Sequence, residues 1–470
     1  MKPTEKISLH EKISYGFGDF ASSMFWTLFS MFLLFFYTDV FGISAAAAGT
    51  MFLVARLWDT VNDPIMGMLG DRTKTRWGKF RPYLLFVAIP FAIIGILTFT
   101  TPDLSPEWKL VYAYITYTLM MMVYTAINVP YASLLGVITS NTEERTSLAS
   151  FRFIGGFSAG LMVTATANYL VEYFSTTNDT AAAYQKTVAI YAILSAIFFL
   201  LTFAGTKERL NTLEVESSSF REDLGDLLKN RPWFIMLFAA IAVLVFNSLR
   251  GSAILYYFKY YVGDQNVLFF GEVTQGTLAS VFMSSGYATS LLGVILAIPI
   301  ARRIGKKNTF IVSGMVCAVL CIVFYYLPPQ QIELIFLINI IVGIFSAMVF
   351  PLLWAMYADV SDYSELKTGR RATGLIFSSS SMSQKLGWTI GGAISGWILA
   401  AFGFVANEVQ SIESVMGIRL MISWFAAIGA MSSVVIIYFY PLDEKFMEQA
   451  SKDLSTARNN RQQSVDYESI

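Results

Sequence analysis

Long apolar stretches dominate this 470-residue sequence and leave few folds open to it. A helix needs about 20 mostly apolar residues to cross a membrane. About twelve such stretches occur, at roughly 15–37, 45–70, 82–101, 110–136, 148–172, 187–205, 233–258, 277–300, 309–327, 333–357, 374–403 and 417–440. Only a helix satisfies its own backbone within lipid. The pattern therefore predicts an all-α membrane protein with twelve transmembrane helices.

The basic residues of the polar connections predict the orientation. With both termini on one side, the connections on that side hold about 25 of the 33 Lys and Arg, and the opposite connections hold about four. This bias predicts that both termini are cytoplasmic. The first 20 residues are too polar for the core of a signal peptide. The first apolar stretch is therefore expected to remain as a membrane span.

The longest internal polar segment, about 206–232, divides the apolar stretches into six and six. Each half carries a basic turn after its second stretch, at 72–81 and at 302–307. We predict a six-helix bundle at 1–205, a cytoplasmic middle loop at 206–232, a second six-helix bundle at 233–440 and a polar cytoplasmic tail at 441–470. Such repeated halves are typical of transporters with the site at the midplane between them.

Ionisable residues at membrane depth are the main functional signal. They are Asp19, Arg56, Asp59, Asp63, Arg152, Arg250 and Lys385. Each costs roughly 2.5–3.5 kcal/mol at the bilayer centre, so these residues should face the interior and have a use. Arg152 and Arg250 are candidate substrate-binding donors, although Arg152 lies near a membrane edge and could instead snorkel. Trp388 is one of several aromatic residues at this depth that could stack on a sugar.

The second stretch carries the most concentrated cluster. Asp59 and Asp63 lie one helical turn apart, and Asn62 adjoins the same face. These oxygen ligands suit a monovalent cation or a transported proton. The alternative is that one Asp only neutralises Arg56 or Lys385. Lys385 itself could substitute for the cation in the empty site, or could form a salt bridge that only holds helices together.

Enzymatic and ATP-driven functions are not supported by the sequence. His10 is the single histidine, and no P-loop, HExxH or paired CxxC motif occurs. We therefore expect no enzyme and no cofactor, with an ion gradient as the energy source. The glycine pairs Gly156/Gly160 and Gly392/Gly396 have the spacing of close helix–helix contacts.

Several strings together resemble one known family. YGFGDF, YTDVFG, ARLWDTVNDPIMG, DRTKTRWGKFRP, NVPYASL and ADVSDYSELKTGRR are similar to the glycoside–pentoside–hexuronide:cation symporters, the melibiose permease group of the major facilitator superfamily. The resemblance implies the major facilitator fold. It also implies that Asp59 and Asp63 bind Na⁺, Li⁺ or H⁺ near Thr125, that Lys385 communicates with this site, and that Tyr124 and Arg152 contact sugar.

The sequence departs from melibiose permease at the sugar site. Ser22-Ser23 replaces a Lys-Asp pair, with Asp19 one turn earlier; Asn128 replaces a sugar-binding Asp, and Ala132 replaces a stacking Trp. Melibiose is therefore not the expected substrate. With Arg152 and Arg250 present, a hexuronide, a glucuronide or a pentoside fits better, and one surplus positive charge among the deep ionisable residues suits an anionic substrate such as a sugar acid.

The resulting expectation is a sugar:cation symporter of the bacterial cytoplasmic membrane. It would work by alternating access, with Na⁺ or H⁺ as the coupling ion and no nucleic-acid or obligate protein partner. The alternatives are a drug or lipid transporter on the same fold, which would have a more apolar cavity, and a non-transporting sugar sensor.

Overall fold

A computed structural model describes residues 6–139, 142–209, 229–267, 271–368, 373–442, 446–447, 449–450 and 453. Within its helices, the side chains of a few residues lie outside this description, among them Arg56, Asp59 and Asp63. The described chain is almost entirely helical, with one short hairpin of β1 (Gln265–Val267) and β2 (Gly271–Val273) paired antiparallel.

The helices up to residue 205 form the N-terminal group. They are α1 (Leu9–Met31), α2 (Leu33–Phe35), α3 (Ala45–Arg72), α4 (Arg81–Phe86), α5 (Ala88–Thr98), α6 (Pro106–Ile138), α7 (Thr142–Ser175) and α8 (Thr180–Gly205). The helices from residue 231 onwards form the C-terminal group. They are α9 (Arg231–Tyr257), α10 (Gln275–Ile304), α11 (Lys306–Tyr325), α12 (Ile332–Thr368), α13 (Thr373–Ala401), α14 (Ile412–Leu420) and α15 (Ala426–Tyr438). Three π-helical segments, Phe36–Phe41, Phe258–Val262 and Met421–Phe425, continue α2, α9 and α14.

Eight helices in the described part of the chain are long and apolar enough to cross a membrane, or nine if one bent pair is a single span. The bent pair is Leu9–Met31 with Leu33–Phe41, which meet at 51°. The predicted stretches at 45–70, 82–101 and 374–403 are also helical. The second of these is broken at Val87 into α4 and α5, so its two parts are each shorter than a span.

Side-chain caps set several helix starts. Ser8, Ser44, Asp179, Asn230 and Thr274 each accept a hydrogen bond from a backbone N–H in the first turn of the helix that follows. These caps satisfy N–H groups that a helix cannot satisfy by itself. Gly42 ends the first span with φ 87° and ψ 32°, a left-handed conformation that glycine adopts without strain.

The helix pairs that join the groups across their interface include α3 with α13 and α7 with α10. Glycines allow the first of these contacts, as the spacing of Gly392 and Gly396 predicts. A Cβ on Gly49 of α3 would lie 2.7 Å from the Ala393 carbonyl oxygen, and Gly396 packs directly on Ala45 and Gly49. Gly160 packs against Tyr287 at the α7–α10 contact. Small residues therefore let these helices approach closely, as is common in membranes.

The first string of the resemblance, YGFGDF, also has a packing role. A Cβ on Gly16 of α1 would lie 2.8 Å from the Phe151 carbonyl oxygen of α7, and Gly18 packs against the Tyr131 ring. Gly156 lies beside Asp19, where a Cβ would come within 2.8 Å of Oδ2. These glycines bring α1 and α7 close enough for Asp19 and Arg152 to meet.

The basic turn that follows α3 is fastened by one carboxylate. Glu208 accepts hydrogen bonds from three successive backbone N–H groups, those of Lys79, Phe80 and Arg81, at 2.8, 2.8 and 2.9 Å. Gly78, with φ 111°, allows the turn that aims these groups at the carboxylate. Arg81 in turn donates to the Phe203 carbonyl at 2.6 Å. The string DRTKTRWGKFRP thus ties the α3–α4 turn to the end of α8.

Candidate functional site

A polar cluster lies between α1, α6 and α7. The Arg152 Nε donates to Asp19 Oδ1 at 3.1 Å, and the guanidinium carbon lies 5.4 Å from the centre of the Tyr131 ring. The Arg152 side chain is 34% exposed and the Asp19 side chain is 18% exposed. The structure therefore brings together Asp19 and Arg152, which the sequence predicted separately.

Ser22 extends this cluster along α1. Its Oγ donates to Asn128 Oδ1 at 2.9 Å and lies 3.1 Å from the Tyr124 hydroxyl. The Asn128 Nδ2 is buried and has no hydrogen-bond partner in the described structure. The predicted substrate residues Asp19, Tyr124, Asn128 and Arg152 thus lie in one cluster. It offers a carboxylate, a guanidinium and an unused amide donor, which are groups that bind hydroxyls.

A cavity at the interface of the two groups adjoins this cluster. Both groups line it: the first supplies Trp26, Phe29, Ser30, Leu33, Leu34, Phe52 and Tyr117, and the second supplies Ser248, Ser252, Trp388, Thr389 and Gly392. Trp26 connects cavity and cluster, because its ring centre lies 5.9 Å from that of Tyr124. Trp388 packs edge-on against Trp26, at 5.9 Å and 88°. The predicted residue Trp388 therefore lies beside the polar cluster, on the opposite helix group.

The predicted cation-binding and coupling residues are only partly described. The side chains of Asp59, Asp63 and Arg56 lie outside the described structure, so their contacts, and the predicted metal ligation by Asp59 and Asp63, are not part of it. Asn62 and Thr125 are both buried, and the Asn62 Nδ2 has no partner among the described residues.

The helices that carry these residues meet at similar depth. α3 packs on both α6 and α13. An α-helix rises about 1.5 Å per residue. Asn62 therefore lies about 26 Å from the helix end at Ala45, and Thr125 lies about 29 Å from the end at Pro106. Lys385 lies about 24 Å from the end at Ala401. Lys385 is half-buried, one turn before Thr389, which donates to its carbonyl at 2.7 Å.

Arg250 lies apart from the cluster. Its Nη2 donates to Asn339 Oδ1 at 2.9 Å, and its guanidinium faces the rings of Phe282 and Phe324 at 5.7 and 5.9 Å. These partners belong to α10, α11 and α12. The structure therefore places Arg250 inside the C-terminal group, while Ser248 and Ser252 of the same helix face the cavity.

A network of hydrogen bonds joins the two groups at one end of the bundle. We call it the latch; it consists of Thr38, Asp39, Tyr256, Lys259, Tyr260 and Asn407. The Asp39 carboxylate is 1% exposed and accepts from Lys259 Nζ at 2.8 Å, from Thr38 Oγ1 at 2.7 Å and from the Tyr260 hydroxyl. Lys259 also donates to Asn407 Oδ1 at 2.7 Å, while Asn407 donates to the Asp39 carbonyl. The latch therefore joins three separate segments of the two groups.

Further contacts between the groups lie towards the same end. Asn168 donates to the Gly276 carbonyl at 3.2 Å, and Trp397 Nε1 donates to Thr50 Oγ1 at 3.2 Å. Thr274 also donates to Glu172 and Ser284 to Thr164, and these contacts between the groups lie in the half of the bundle that ends at Asp39. The groups are thus fastened together at this end.

Sequence reasoning missed the latch and most of the cavity. Asp39 is part of the string YTDVFG, and Lys259 is one of the few basic residues assigned to the outer connections, so the two charges were visible. Their pairing was not, because 220 positions separate them in the chain. Ser248, Ser252 and Thr389 are small hydroxyl residues in apolar stretches and carry no signal in a single sequence.

A membrane-spanning helical protein with a polar cluster and an aromatic cavity between two helix groups is a transporter by architecture. The family model for MFS/sugar transport proteins matches residues 14–444. The chain is 38% identical over 438 residues to the isoprimeverose transporter of Lactiplantibacillus pentosus, covering 92% of this chain and 89% of that protein. It is 36% identical over 451 residues to the putative glycoside/cation symporter YagG of Escherichia coli (strain K12), covering 96% and 95%.

Solved structures show the same fold. A bacterial homologue of the human drug peptide transporters PepT1 and PepT2 superposes with a TM-score of 0.67 at 10% identity, covering 94% of this chain and 99% of that one. The chain belongs to the MFS/sugar transport protein family. It is a sugar transporter of the major facilitator superfamily and a multi-pass protein of the bacterial inner membrane, and it is not an enzyme. The predicted family, the exclusion of an enzyme and the location are thereby confirmed.

Proposed function

We propose that this chain couples uptake of a sugar or glycoside to a monovalent cation, Na⁺ or H⁺, by alternating access. The observation that carries the proposal is the polar cluster of Asp19, Arg152, Ser22, Tyr124 and Asn128, which adjoins a cavity shared by the two helix groups. Charges at this depth are costly, so their presence indicates a function, and binding of a polar cargo is such a function. Carbohydrate hydroxyls can both donate to Asp19 and accept from Arg152 and Asn128.

The transport cycle follows from the architecture. We take the N- and C-terminal groups as two six-helix bundles, 1–205 and 233–440, joined by the cytoplasmic loop 206–232 and followed by the cytoplasmic tail 441–470. With both termini in the cytoplasm, the latch lies at the outer face. Contacts between the bundles at that end are what an inward-facing state requires, and rocking of the bundles around the midplane would open the outer side.

The cation is assigned to the middle of α3. Asp59 and Asp63 would supply the negative charge, and Asn62 and Thr125 would supply further oxygen ligands. Arg56 and Lys385 would couple the site to the rest of the protein, with a basic side chain substituting for the cation when the site is empty. The support is the burial of Asn62 and Thr125 and the matching depth of Lys385 on the helix that packs against α3. The name of the relative described as a glycoside/cation symporter supports the same coupling.

Substrate contacts are assigned mainly to the N-terminal bundle. Asp19, Tyr124, Asn128 and Arg152 would bind sugar hydroxyls, and Trp388 would cover the ring from the other bundle. Arg250 would contribute a positive charge to the substrate site. Among the described residues its partners are the Asn339 amide and the rings of Phe282 and Phe324, and none of them is a carboxylate. An isoprimeverose transporter among the relatives supports a pentose-containing glycoside.

Transport in vesicles tests this proposal. Uptake of a panel of labelled pentosides, hexosides and hexuronides would be measured with an imposed Na⁺ gradient, an imposed proton gradient, or neither. We expect accumulation of at least one glycoside that requires one of the two gradients. Asp63→Asn should abolish accumulation but leave sugar exchange at equal concentrations. Gradient-independent uptake in the parent protein would overturn the coupling.

A further inference from the structure

The basic turn between α3 and α4 exposes cations that neither the sugar cluster nor the cation site uses. Arg72, Lys74 and Arg76 are exposed, and among the described residues none of the three forms an ion pair. The acid that contacts this turn, Glu208, is instead engaged by three backbone N–H groups. The segment 71–81 holds five basic residues and one acid, so an excess of positive charge remains. The turn therefore offers contacts to an anionic group.

Local hydrogen bonds hold the tip of this turn in a fixed arrangement. Thr75 Oγ1 donates to the Gly78 carbonyl at 2.8 Å and accepts from the Trp77 N–H at 3.2 Å. Arg81 donates to the Trp77 carbonyl at 3.3 Å. The guanidinium carbon of Arg76 lies 4.2 Å from the centre of the Trp77 ring. A ligand at Arg76 would therefore meet a side chain that is already positioned, and less conformational entropy would be lost on binding.

Trp77 places the turn beside the hydrocarbon of the membrane. Its ring centre lies 5.9 Å from that of Phe86 in α4 and 6.1 Å from that of Phe203 in α8. Phe86 belongs to an apolar stretch and is 61% exposed, as expected for a side chain that faces lipid. A half-buried tryptophan between such a residue and a basic turn is typical of the membrane–water interface. Arg76, which stacks on Trp77, therefore lies at the level of the lipid headgroups.

An exposed apolar surface runs from Trp77 towards the middle of the membrane. It consists of Ile89, Ile93 and Leu97 on α5 and of Ile193, Ile197 and Leu201 on α8. Each set has the spacing of one helix face, and α5 packs directly on α8. The α5 face is about 12 Å long, close to the depth of one leaflet, which is half of a hydrocarbon core of about 30 Å. One acyl chain can therefore lie along these two helices below a headgroup at the turn.

A phospholipid with a net negative headgroup has both of the parts that these surfaces require. Its phosphate oxygens accept charge-assisted hydrogen bonds from a guanidinium group, and its acyl chain covers exposed apolar side chains. A zwitterionic lipid offers the same phosphate but brings a cationic group towards the basic turn, so its attraction to the turn is weaker. Free phosphate could contact the basic residues but would leave the apolar face uncovered. The combination therefore favours an anionic lipid.

We propose that the α3–α4 turn and the adjoining face of α4, α5 and α8 bind one anionic phospholipid of the inner leaflet. Arg76 holds the phosphate, Arg72 and Lys74 add positive charge, and one acyl chain packs on Trp77 and along the α5–α8 face. A lipid bound here would hold the start of α4 at the membrane surface while the helix groups rock. The inference rests on the orientation given under the proposed function, and it does not depend on which sugar or cation is transported.

Quenching of tryptophan fluorescence by brominated lipid tests this site. The purified protein in detergent would be titrated with phosphatidylglycerol or with phosphatidylcholine, each brominated on an acyl chain, and the quenching of Trp77 would be obtained by difference from Trp77→Phe. We expect phosphatidylglycerol to reach half-saturation at a concentration about tenfold below that of phosphatidylcholine. Arg76→Gln should raise the half-saturation concentration for phosphatidylglycerol about fivefold, because one cation is lost at the surface. Combined replacement of Arg72, Lys74 and Arg76 by Gln should raise it about a hundredfold.

The matched control is Arg303→Gln, which removes an exposed cation at the same end of the bundle but on α10, in the other helix group. It should leave the quenching of Trp77 unchanged, and the melting temperature of each variant would show that folding is intact. Equal half-saturation by the two lipids in the parent, an unchanged value in the triple variant, or displacement of the lipid by inorganic phosphate would overturn the site. The assay uses no sugar and no ion gradient, so a negative result leaves the proposed transport standing, and absence of transport in vesicles leaves the lipid site standing.

Discussion

Replacement of Asp39 by Asn should unfasten the latch and shift the protein towards the state that opens at that end. Asp39 is 1% exposed and its carboxylate accepts three hydrogen bonds, one of them from the Lys259 ammonium. Removal of one partner from a buried ion pair typically costs about 3–5 kcal/mol. Lys259 is 27% exposed and can regain water, so the lower value is the better guide.

The size of the expected shift follows from this value. About 3 kcal/mol corresponds to roughly a 150-fold change in an equilibrium constant. A ratio of closed to open molecules near 100 to 1 would therefore fall to about 1 to 1. This change is large enough to detect as a second population of molecules.

Spin labels at positions 107 and 409 would report the separation, because both positions are exposed and lie on different helix groups near the latch. The buried Cys317 and Cys321 would first be replaced by Ala. We expect one main distance in the parent and an added longer distance in Asp39→Asn. The control is Asp103→Asn, an exposed acid at the same end of the bundle. A distance distribution identical to that of the parent would refute the role of the latch.

Three further predictions address other parts of the structure. Arg152→Lys should raise the KM for sugar about tenfold, because an ammonium cannot reproduce the guanidinium geometry at Asp19; unchanged KM values in uptake assays would contradict the cluster as the sugar site. Gly49→Leu should lower the melting temperature by several degrees, because the new side chain would collide with the Ala393 carbonyl at the α3–α13 contact. The control Gly67→Leu should leave the melting temperature unchanged, because a Cβ at Gly67 has no atom within 4 Å. Lys12 donates to Glu144 and holds the pKa of that carboxyl below its ordinary value. The stabilisation is therefore present at neutral pH and is lost as the pH falls through the lowered pKa. In Glu144→Gln the melting temperature should fall less steeply with decreasing pH than in the parent, and an equal fall in both would contradict this role.

The sequence predicted the sugar cluster only as separate residues. Asp19 and Arg152 stood out because charges at membrane depth are costly, and this argument needs no partner. Their direct pairing means that Arg152 does not present an uncompensated charge to the substrate, because Asp19 neutralises it. Arg250 shows the limit of the same argument, since its depth was readable and its direction, towards Asn339, was not.

The sequence by itself determined that this chain is a bundle of membrane helices, because runs of apolar residues and the unsatisfied backbone in lipid allow little else. It also determined the family, through strings whose residues stand next to each other in the chain. The tertiary structure alone decided which charges meet, where the two groups are fastened and which hydroxyls face a cavity. Asp39 and Lys259, or Trp26 and Trp388, are brought together by the packing of distant helices, and that packing depends on glycine contacts and helix rotation that hydropathy does not encode.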